Sequence, residues 1–290
     1  MRAVVVGAGA WGTAFAHVLR GRGHDVLVAR RSSIDDAPFE EADIVVLAVP
    51  SAGFREALAH LRGDAPVLIL TKGLDPQTGE RLSTLVTGRT VAVLSGPNMA
   101  DEIAGGLPSA AVVASHDLEL ALRLQGAINS LVFRVYVNDD VTGIELCGAA
   151  KNVIALAAGG IDGLGLGDNA KAALVTRGLV EMARLGEACG AAPETFAGLA
   201  GMGDLMVTCF HPTGRNRRAG ELIARGATAD EARAEIGQVV EGLTTAPVLR
   251  DLSRRIGVEL PITEGVCSIL DGEPLHELAE RLMGRRPTEE

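Results

Sequence analysis

The chain has 290 residues, 47% of them hydrophobic and 3% aromatic, with a net charge of −10. That length suits one large domain or two ordinary ones with real cores, and the acidic balance speaks against nucleic acid or an anionic membrane as a partner. Cys147, Cys189, Cys209 and Cys267 stand far apart with no Cys/His ligand spacing, and no apolar run reaches spanning length; no metal, no membrane insertion and a reducing cytoplasm are expected.

The first half alternates strand and helix patterns. Strands are expected at Ala3–Gly7, Asp25–Ala29, Asp43–Val49, Pro66–Thr71, Thr90–Ser95, Ser109–Ala114 and Val132–Val137, all short, apolar and rich in β-branched residues. Helices are expected between them at Trp11–Arg22, Phe54–Arg62, Gly79–Thr87 and Leu118–Ser130. Fully apolar strands between helices indicate a doubly wound parallel sheet covered on both faces. After Asn138–Asp140 the strand signal stops, and helical periodicity runs through roughly 141–158, 169–189, 193–199, 203–209, 217–225, 228–235, 244–256 and 274–283. The expected organisation is a Rossmann-like α/β domain over 1–139 and an all-α substrate domain over 140–290.

"GAGAWG", Gly7 to Gly12, directly follows the first strand and opens a helix. In a dinucleotide fingerprint Gly7 makes the tight turn, Gly9 lets the backbone approach a pyrophosphate, and Gly12 permits close helix–strand packing. The helix N-terminus supplies free N–H donors. At the end of the second strand, where NAD-selective sites carry an acid, stand Arg30 and Arg31. Guanidinium groups there suit the 2′-phosphate of NADP, although two solvated arginines fit the same pattern. Lys72 directly follows the fourth strand and Ser95–Gly96–Pro97 stands at the end of the fifth, both on the side of the sheet that faces ligand; a solvated loop lysine is the other reading of Lys72.

Lys151 is the sole basic residue of "ELCGAAKNVIALAAGG", an apolar helix pattern from Glu145 to Gly160. Lysine is almost never fully buried without a partner, so its presence there asks for one. Asp204 and Thr208, four apart on one helical face, lie in another apolar segment, and Arg215–Asn216–Arg217–Arg218 follows as a basic cluster with the fork geometry for phosphate.

Six blocks in order, "GAGAWGTA", "SGPNMADEIAGGLPSA", "ELCGAAKNVIALAAGGIDGLGLGDNAKAAL", "GLAGMGDLMVTC", "GRNRRAG" and "VVEGLTTA", resemble the NAD(P)-dependent glycerol-3-phosphate dehydrogenase family of the bacterial biosynthetic type over almost the whole chain. The resemblance implies an enzyme, with Lys151 as its catalytic lysine, assisted by Asp204 and Lys72. It implies substrate contacts from Lys72, Gly96, Asn98, Lys151, Asn152, Asp204, Thr208, Gly214, Arg215 and Asn216. It implies cofactor contacts from Gly7, Gly9, Ala10, Trp11, Gly12, Arg30, Arg31, Lys72, Ala100, Arg215, Val239 and Glu241. The expected reaction interconverts dihydroxyacetone phosphate and sn-glycerol 3-phosphate, supplying glycerol 3-phosphate for phospholipid synthesis in a cytoplasmic homodimer. NADP or NAD is the expected cofactor, with NADP slightly favoured.

Several positions depart from the family pattern. It often has Ser or Thr where Ala10 and Asn98 stand, and Ser where Gly214 stands. Between Arg31 and Asp43 it usually carries a much longer segment, whereas "SSIDDAPFEEA" barely reaches the roughly 10–12 residues of a crossover that contains a helix. The adenosine side is therefore expected to be open or differently built. Two other readings use the same features: a two-domain dehydrogenase for a hydroxy acid or ketopantoate, and a cofactor-binding regulator without turnover. The basic cluster and Asp204 favour the phosphate substrate, and retention of Lys151, Asp204 and Arg215 speaks against the regulator.

Overall fold

A computed structural model describes residues 1–273. Seven strands, β1 (Arg2–Val6), β2 (Asp25–Ala29), β3 (Ile44–Leu47), β4 (Val67–Ile69), β5 (Val91–Ser95), β6 (Ser109–Ala114) and β7 (Phe133–Asn138), form one sheet in the order β2-β1-β3-β4-β5-β6-β7. Every pairing is parallel except β5 with β6. The sheet is thus mostly parallel, as expected, and differs from a fully parallel one only at β6, which returns beside β5 after a link that carries α4. The helices of this half are α1 (Ala10–Gly21), α2 (Phe54–Ala59), α3 (Leu82–Leu85), α4 (Ala100–Ala104) and α5 (Leu118–Ile128).

Strand residues alternate between two cores, as a period of two requires. Val5, Val46, Leu68, Leu94 and Val113 face α1 and α5 through Phe15, Leu19, Leu120 and Leu124. Val4, Val45, Val67, Val93 and Val112 face the other way, onto Phe54, Ala57 and the helical half of the chain. Both faces are covered, so the strands can be apolar throughout.

Two expected elements change form. The predicted helix Gly79–Thr87 shrinks to the single turn α3, because Gly79 adopts φ +71° and Leu74 bridges Arg81, closing a tight turn upstream. The β2–β3 crossover holds no α-helix; two 3₁₀ turns, Arg31–Ser33 and Phe39–Glu41, replace it. Ile34, Ala37 and Phe39 are nevertheless buried and anchor this short link in the same core as Phe54 and Ala57.

From Val141 onward the described chain is helical: α6 (Val141–Gly163), α7 (Gly167–Ala188), α8 (Pro193–Ala197), α9 (Asp204–Phe210), α10 (Arg215–Ala224), α11 (Ala229–Ile236), α12 (Glu241–Ile256) and α13 (Pro261–Leu270). Neither α4 nor α13 was expected from periodicity, and the expected helix 274–283 lies outside the described residues. The long helix α6 has the length and hydropathy of a membrane span, yet 83% of that window is buried inside the protein. Of its 23 residues, 17 are buried, the mark of a core helix rather than an amphipathic surface one.

Glycines let α10 lie directly on α6. A Cβ on Gly159 would sit 1.8 Å from the Arg217 carbonyl oxygen, and one on Gly220 would sit 1.9 Å from that of Leu156. Backbone thus meets backbone, which holds the N-terminus of α10 close to the middle of α6. Gly220→Ala is expected to lower stability by about 1–3 kcal/mol through overpacking against atoms that cannot swing aside. Gly160→Ala is expected to raise it by about 0.5–1 kcal/mol, since open space surrounds that position and helical glycine is entropically costly. Urea midpoints of the two variants at unchanged slope measure both.

Candidate active site

The glycine turn between β1 and α1 has the geometry of a phosphate cradle. Gly7 holds φ +114°, and a Cβ there would strike the Ala48 carbonyl oxygen at 2.5 Å. A Cβ on Gly12 would lie 2.0 Å from the Gly7 carbonyl oxygen, whereas one on Gly9 would meet nothing within 4 Å. The turn is therefore packed on its protein side and open on its outer side. No side chain caps α1, so its first N–H groups remain available to an anion. The buried Trp11 indole N–H also lacks a partner among the described residues, and Trp11, Ala48 and Ala100 each pack against the margin of one core. A buried donor without an acceptor is costly, so these residues fit a dinucleotide.

Beside this cradle three charged side chains meet. The Lys151 ammonium donates to Asp204 Oδ1 at 2.6 Å and to Thr208 Oγ1 at 2.7 Å. Lys72 donates to Asp204 Oδ2 at 2.6 Å and to the Gly96 carbonyl oxygen at 3.0 Å. Asp204 is 1% exposed and Lys151 6% exposed. Burial pushes the Lys151 ammonium down to about 8; attraction to Asp204 opposes that shift and the Lys72 charge adds to it. Burial works against the Asp204 carboxylate too, but the Lys151 and Lys72 charges overcome it and hold the group below the usual carboxylate range. Asp204 is presented by a π-helical turn, Leu199–Gly203, of the kind that recurs at functional sites. That turn closes on Phe196, where a Cβ at Gly201 would lie 2.1 Å from the carbonyl oxygen.

An amide relay joins the cluster to α10. Asn152 donates to the Lys72 carbonyl oxygen at 3.0 Å and accepts from Asn216 at 2.8 Å, while Asn216 accepts from the Gly242 N–H at 2.9 Å. The Asn216 side chain is thus satisfied inside the protein and fixes the start of α10. No side chain caps that helix at Gly214. Arg215 is exposed there and donates to the Val239 carbonyl oxygen at 2.9 Å. Glu241 accepts from the Ser51 N–H at 3.0 Å and from its hydroxyl at 2.6 Å. Burial raises its carboxyl, an effect partly offset by Ser51 and by the Arg215 charge.

Lys72, Gly96, Lys151, Asn152, Asp204, Thr208 and Asn216 are thereby brought into one connected group. Arg215, Val239 and Glu241 lie alongside it, reached through Asn216 rather than by contact with Lys151. Asn98 donates to Ser109 Oγ and to the Ala110 carbonyl oxygen, leaving its own buried Oδ1 without a partner. Arg30 and Arg31 sit apart on the rim after β2, both exposed, and Arg31 is clamped by Glu56 at 2.9 Å through both Nε and Nη2. Ser95, at the ligand-facing end of the fifth strand, lies 3.5 Å from Asp204 Oδ2. Ser51 escapes the sequence reading, although it closely follows β3, the same positional signal that picks out Lys72.

Family models for the NAD-dependent glycerol-3-phosphate dehydrogenase N-terminus and C-terminus match residues 34–121 and 140–279. A protein of Symbiobacterium thermophilum named glycerol-3-phosphate dehydrogenase [NAD(P)+] is 46% identical over 323 residues, covering 98% of this chain and 94% of its own. One of Geobacillus thermodenitrificans with the same name is 43% identical, covering 99% and 95%. The crystal structure of glycerol-3-phosphate dehydrogenase from Coxiella burnetii superposes with a TM-score of 0.92 at 35% identity over 98% of this chain and 99% of that one. A ketopantoate reductase structure from Ralstonia eutropha, with a TM-score of 0.60 and 18% identity, shares the fold alone.

The shared carboxylate makes a stability prediction. Asp204→Ala leaves two ammonium groups without their acceptor, one of them fully buried, and is expected to cost about 3–5 kcal/mol. Lys151→Met removes a buried charge while Asp204 keeps Lys72, and is expected to be near neutral. Chemical denaturation of both variants at pH 7 separates a charge cluster from ordinary packing, which would make the larger truncation the worse one.

Proposed function

The chain belongs to the NAD(P)-dependent glycerol-3-phosphate dehydrogenase family, and from that premise we propose how its residues perform the reaction. It is an oxidoreductase that interconverts dihydroxyacetone phosphate and sn-glycerol 3-phosphate, with NAD or NADP as cofactor. The observation that carries the residue assignment is the buried Lys151–Asp204–Lys72 cluster, set at the carboxyl ends of β4 and β5 beside the glycine turn.

When bound, the nicotinamide supplies the hydride at C4 in reduction and accepts it in oxidation. Gly7, Gly9, Ala10, Trp11 and Gly12 hold the pyrophosphate side of the cofactor, Ala100, Val239 and Glu241 border it, and Arg30 and Arg31 lie at its adenosine end. Lys151 acts on the substrate. As C2 of dihydroxyacetone phosphate receives hydride, negative charge develops on its oxygen, and the Lys151 ammonium stabilises that charge and transfers its proton there. In oxidation the neutral amine takes the hydroxyl proton. Asp204 and Thr208 fix the direction of Lys151 Nζ through their 2.6 and 2.7 Å contacts, and Lys72, held on the other carboxylate oxygen and on Gly96, faces the same oxygen-rich substrate with Asn98. Arg215 and the uncapped N–H groups after Gly214 receive the phosphate, while Asn152 and Asn216 keep that helix end in register with Lys151. Remote phosphate binding then places C2.

The proposal divides the chain into a dinucleotide-binding part (1–139) and a substrate-binding part (140–290); the change from strands to helices at Val141 supports it, while Lys72, Gly96 and Asn98 reach the substrate and Val239 and Glu241 the cofactor from the other part. We extend the proposal to a cytoplasmic homodimer that supplies glycerol 3-phosphate to phospholipid synthesis. The four free cysteines fit a reducing compartment. The exposed side chains of Met202, Met206 and Phe210, spaced by one helical turn, offer an apolar face for a second copy.

Lys151→Met is expected to lower kcat by roughly 10²–10⁴ while cofactor still changes the fluorescence of Trp11, the single tryptophan. A variant that keeps more than about a tenth of wild-type kcat removes Lys151 from the chemistry. The pH dependence has a fixed sign. Reduction needs the ammonium, so its kcat/KM falls as pH rises through about 8, and oxidation needs the amine, so its kcat/KM rises over the same range. Profiles of kcat/KM measured in both directions check this, and parallel profiles contradict it.

A further inference from the structure

The adenosine end of the site carries a charge that the reaction does not use. Glu56, on α2, grips Arg31 with both carboxylate oxygens at 2.9 Å. It can reach because the β2–β3 link has no helix. The link folds as 3₁₀ turns, and α2 with the residues just after it lies against them: the Asp35 carboxylate meets His60 Nδ1 at 2.7 Å, and the Asp35 carbonyl oxygen accepts from Arg62 at 3.2 Å. The relatives align over 323 residues to a 290-residue chain, so they carry residues that this chain lacks. Among the described residues the Arg30 guanidinium meets no protein partner; only its backbone is bonded, to Ser33. The two arginines at the end of β2 are therefore not equivalent.

We propose that Glu56 sets the NADP-to-NAD preference, by occupying the fork of Arg31 and by placing a carboxylate beside the position of the 2′-phosphate. The inference rests on the reading of Arg30 and Arg31 as the adenosine end of the cofactor site. A 2′-phosphate needs cations to replace its water, and an arginine fork binds phosphate and carboxylate through the same two donors. Glu56 therefore competes for Arg31 and also repels the phosphate. NAD, with a neutral 2′-hydroxyl, escapes both effects. Arg30 is left as the principal phosphate partner, and the site discriminates weakly between the two cofactors.

The test is equilibrium binding of NADP⁺ and NAD⁺, read by calorimetry and by Trp11 fluorescence, in the wild type and in Glu56→Gln, Arg30→Ala and Arg31→Ala. Glu56 and Arg31 are exposed, so these variants fold. Glu56→Gln is expected to tighten NADP⁺ by about two- to tenfold at low salt, the scale of one exposed ion pair and one like charge, with NAD⁺ unchanged. The gain shrinks as salt rises. Arg30→Ala is expected to weaken NADP⁺ more than Arg31→Ala does. If Glu56→Gln leaves NADP⁺ unchanged, or shifts both cofactors alike, while an arginine variant weakens NADP⁺ selectively, the role of Glu56 is overturned and the adenosine-end reading stands. If neither arginine variant affects NADP⁺, that reading falls and takes the role of Glu56 with it.

Discussion

One carboxylate shared by two ammonium groups organises this protein. Asp204 receives Lys151 and Lys72 at 2.6 Å each, with all three side chains largely withdrawn from water. Two positive charges against one negative leave the cluster with excess positive charge in a medium where charges are poorly screened. On the proposed mechanism that excess is what the negative charge developing on the C2 oxygen of the substrate neutralises. Burial, which alone would make Lys151 a poor cation, brings it down to about 8, where it can hold or release a proton at cellular pH. Asp204 keeps it from losing the proton altogether. The cluster gains little for folding, since buried ion pairs seldom outperform apolar packing of the same volume. Its arrangement makes sense in terms of the reaction.

The scaffold around the cluster follows from that demand. The three charged residues come from the end of β4, the middle of α6 and the start of α9, so the sheet and the helical half must meet in a fixed register. Asn152 and Asn216 add a second tie, from the Lys72 carbonyl oxygen to the N–H of Gly242. The glycine seam between α6 and α10 does the same through contact alone, since neither backbone has room to move toward the other. Stability and alignment thus have one structural source: a helix apolar on nearly every side, carrying one ammonium.

How much of this is legible in the sequence depends on the range of the interaction. Strand alternation and the glycine turn are local properties, and β1, α1 and the cradle stand where the pattern places them. The solitary Lys151 in an apolar run already demands a partner, and Asp204 with Thr208 is a pair at helical spacing. Distance in the chain hides the rest. Nothing local in "TKG" says that Lys72 shares the Asp204 carboxylate across 132 residues, or in "VPSAG" that Ser51 caps Glu241 across 190. The antiparallel β6 is hidden for a different reason: an apolar strand reads alike in either direction, and the link from Ser95 to Ser109 is about as long as the one that joins the parallel-running β2 and β3. The single turn α3 shows the converse, where a positive φ at Gly79 and the Leu74–Arg81 bridge override a helical pattern.

The adenosine end shows how an absence in the sequence becomes a presence in the structure. A crossover as short as Ser32–Ala42 is expected to leave the rim of the sheet open. Instead Ile34, Ala37 and Phe39 close the core beneath it, and α2 moves into contact from the next crossover, bringing Glu56 to Arg31. An acid at this rim is what NAD-selective sites place at the end of β2, and paired arginines are what NADP suits. This chain carries both, from different elements, in direct contact. On the proposed reading each offsets part of what the other would contribute to selectivity, because a fork already filled by a carboxylate has fewer donors left for a phosphate.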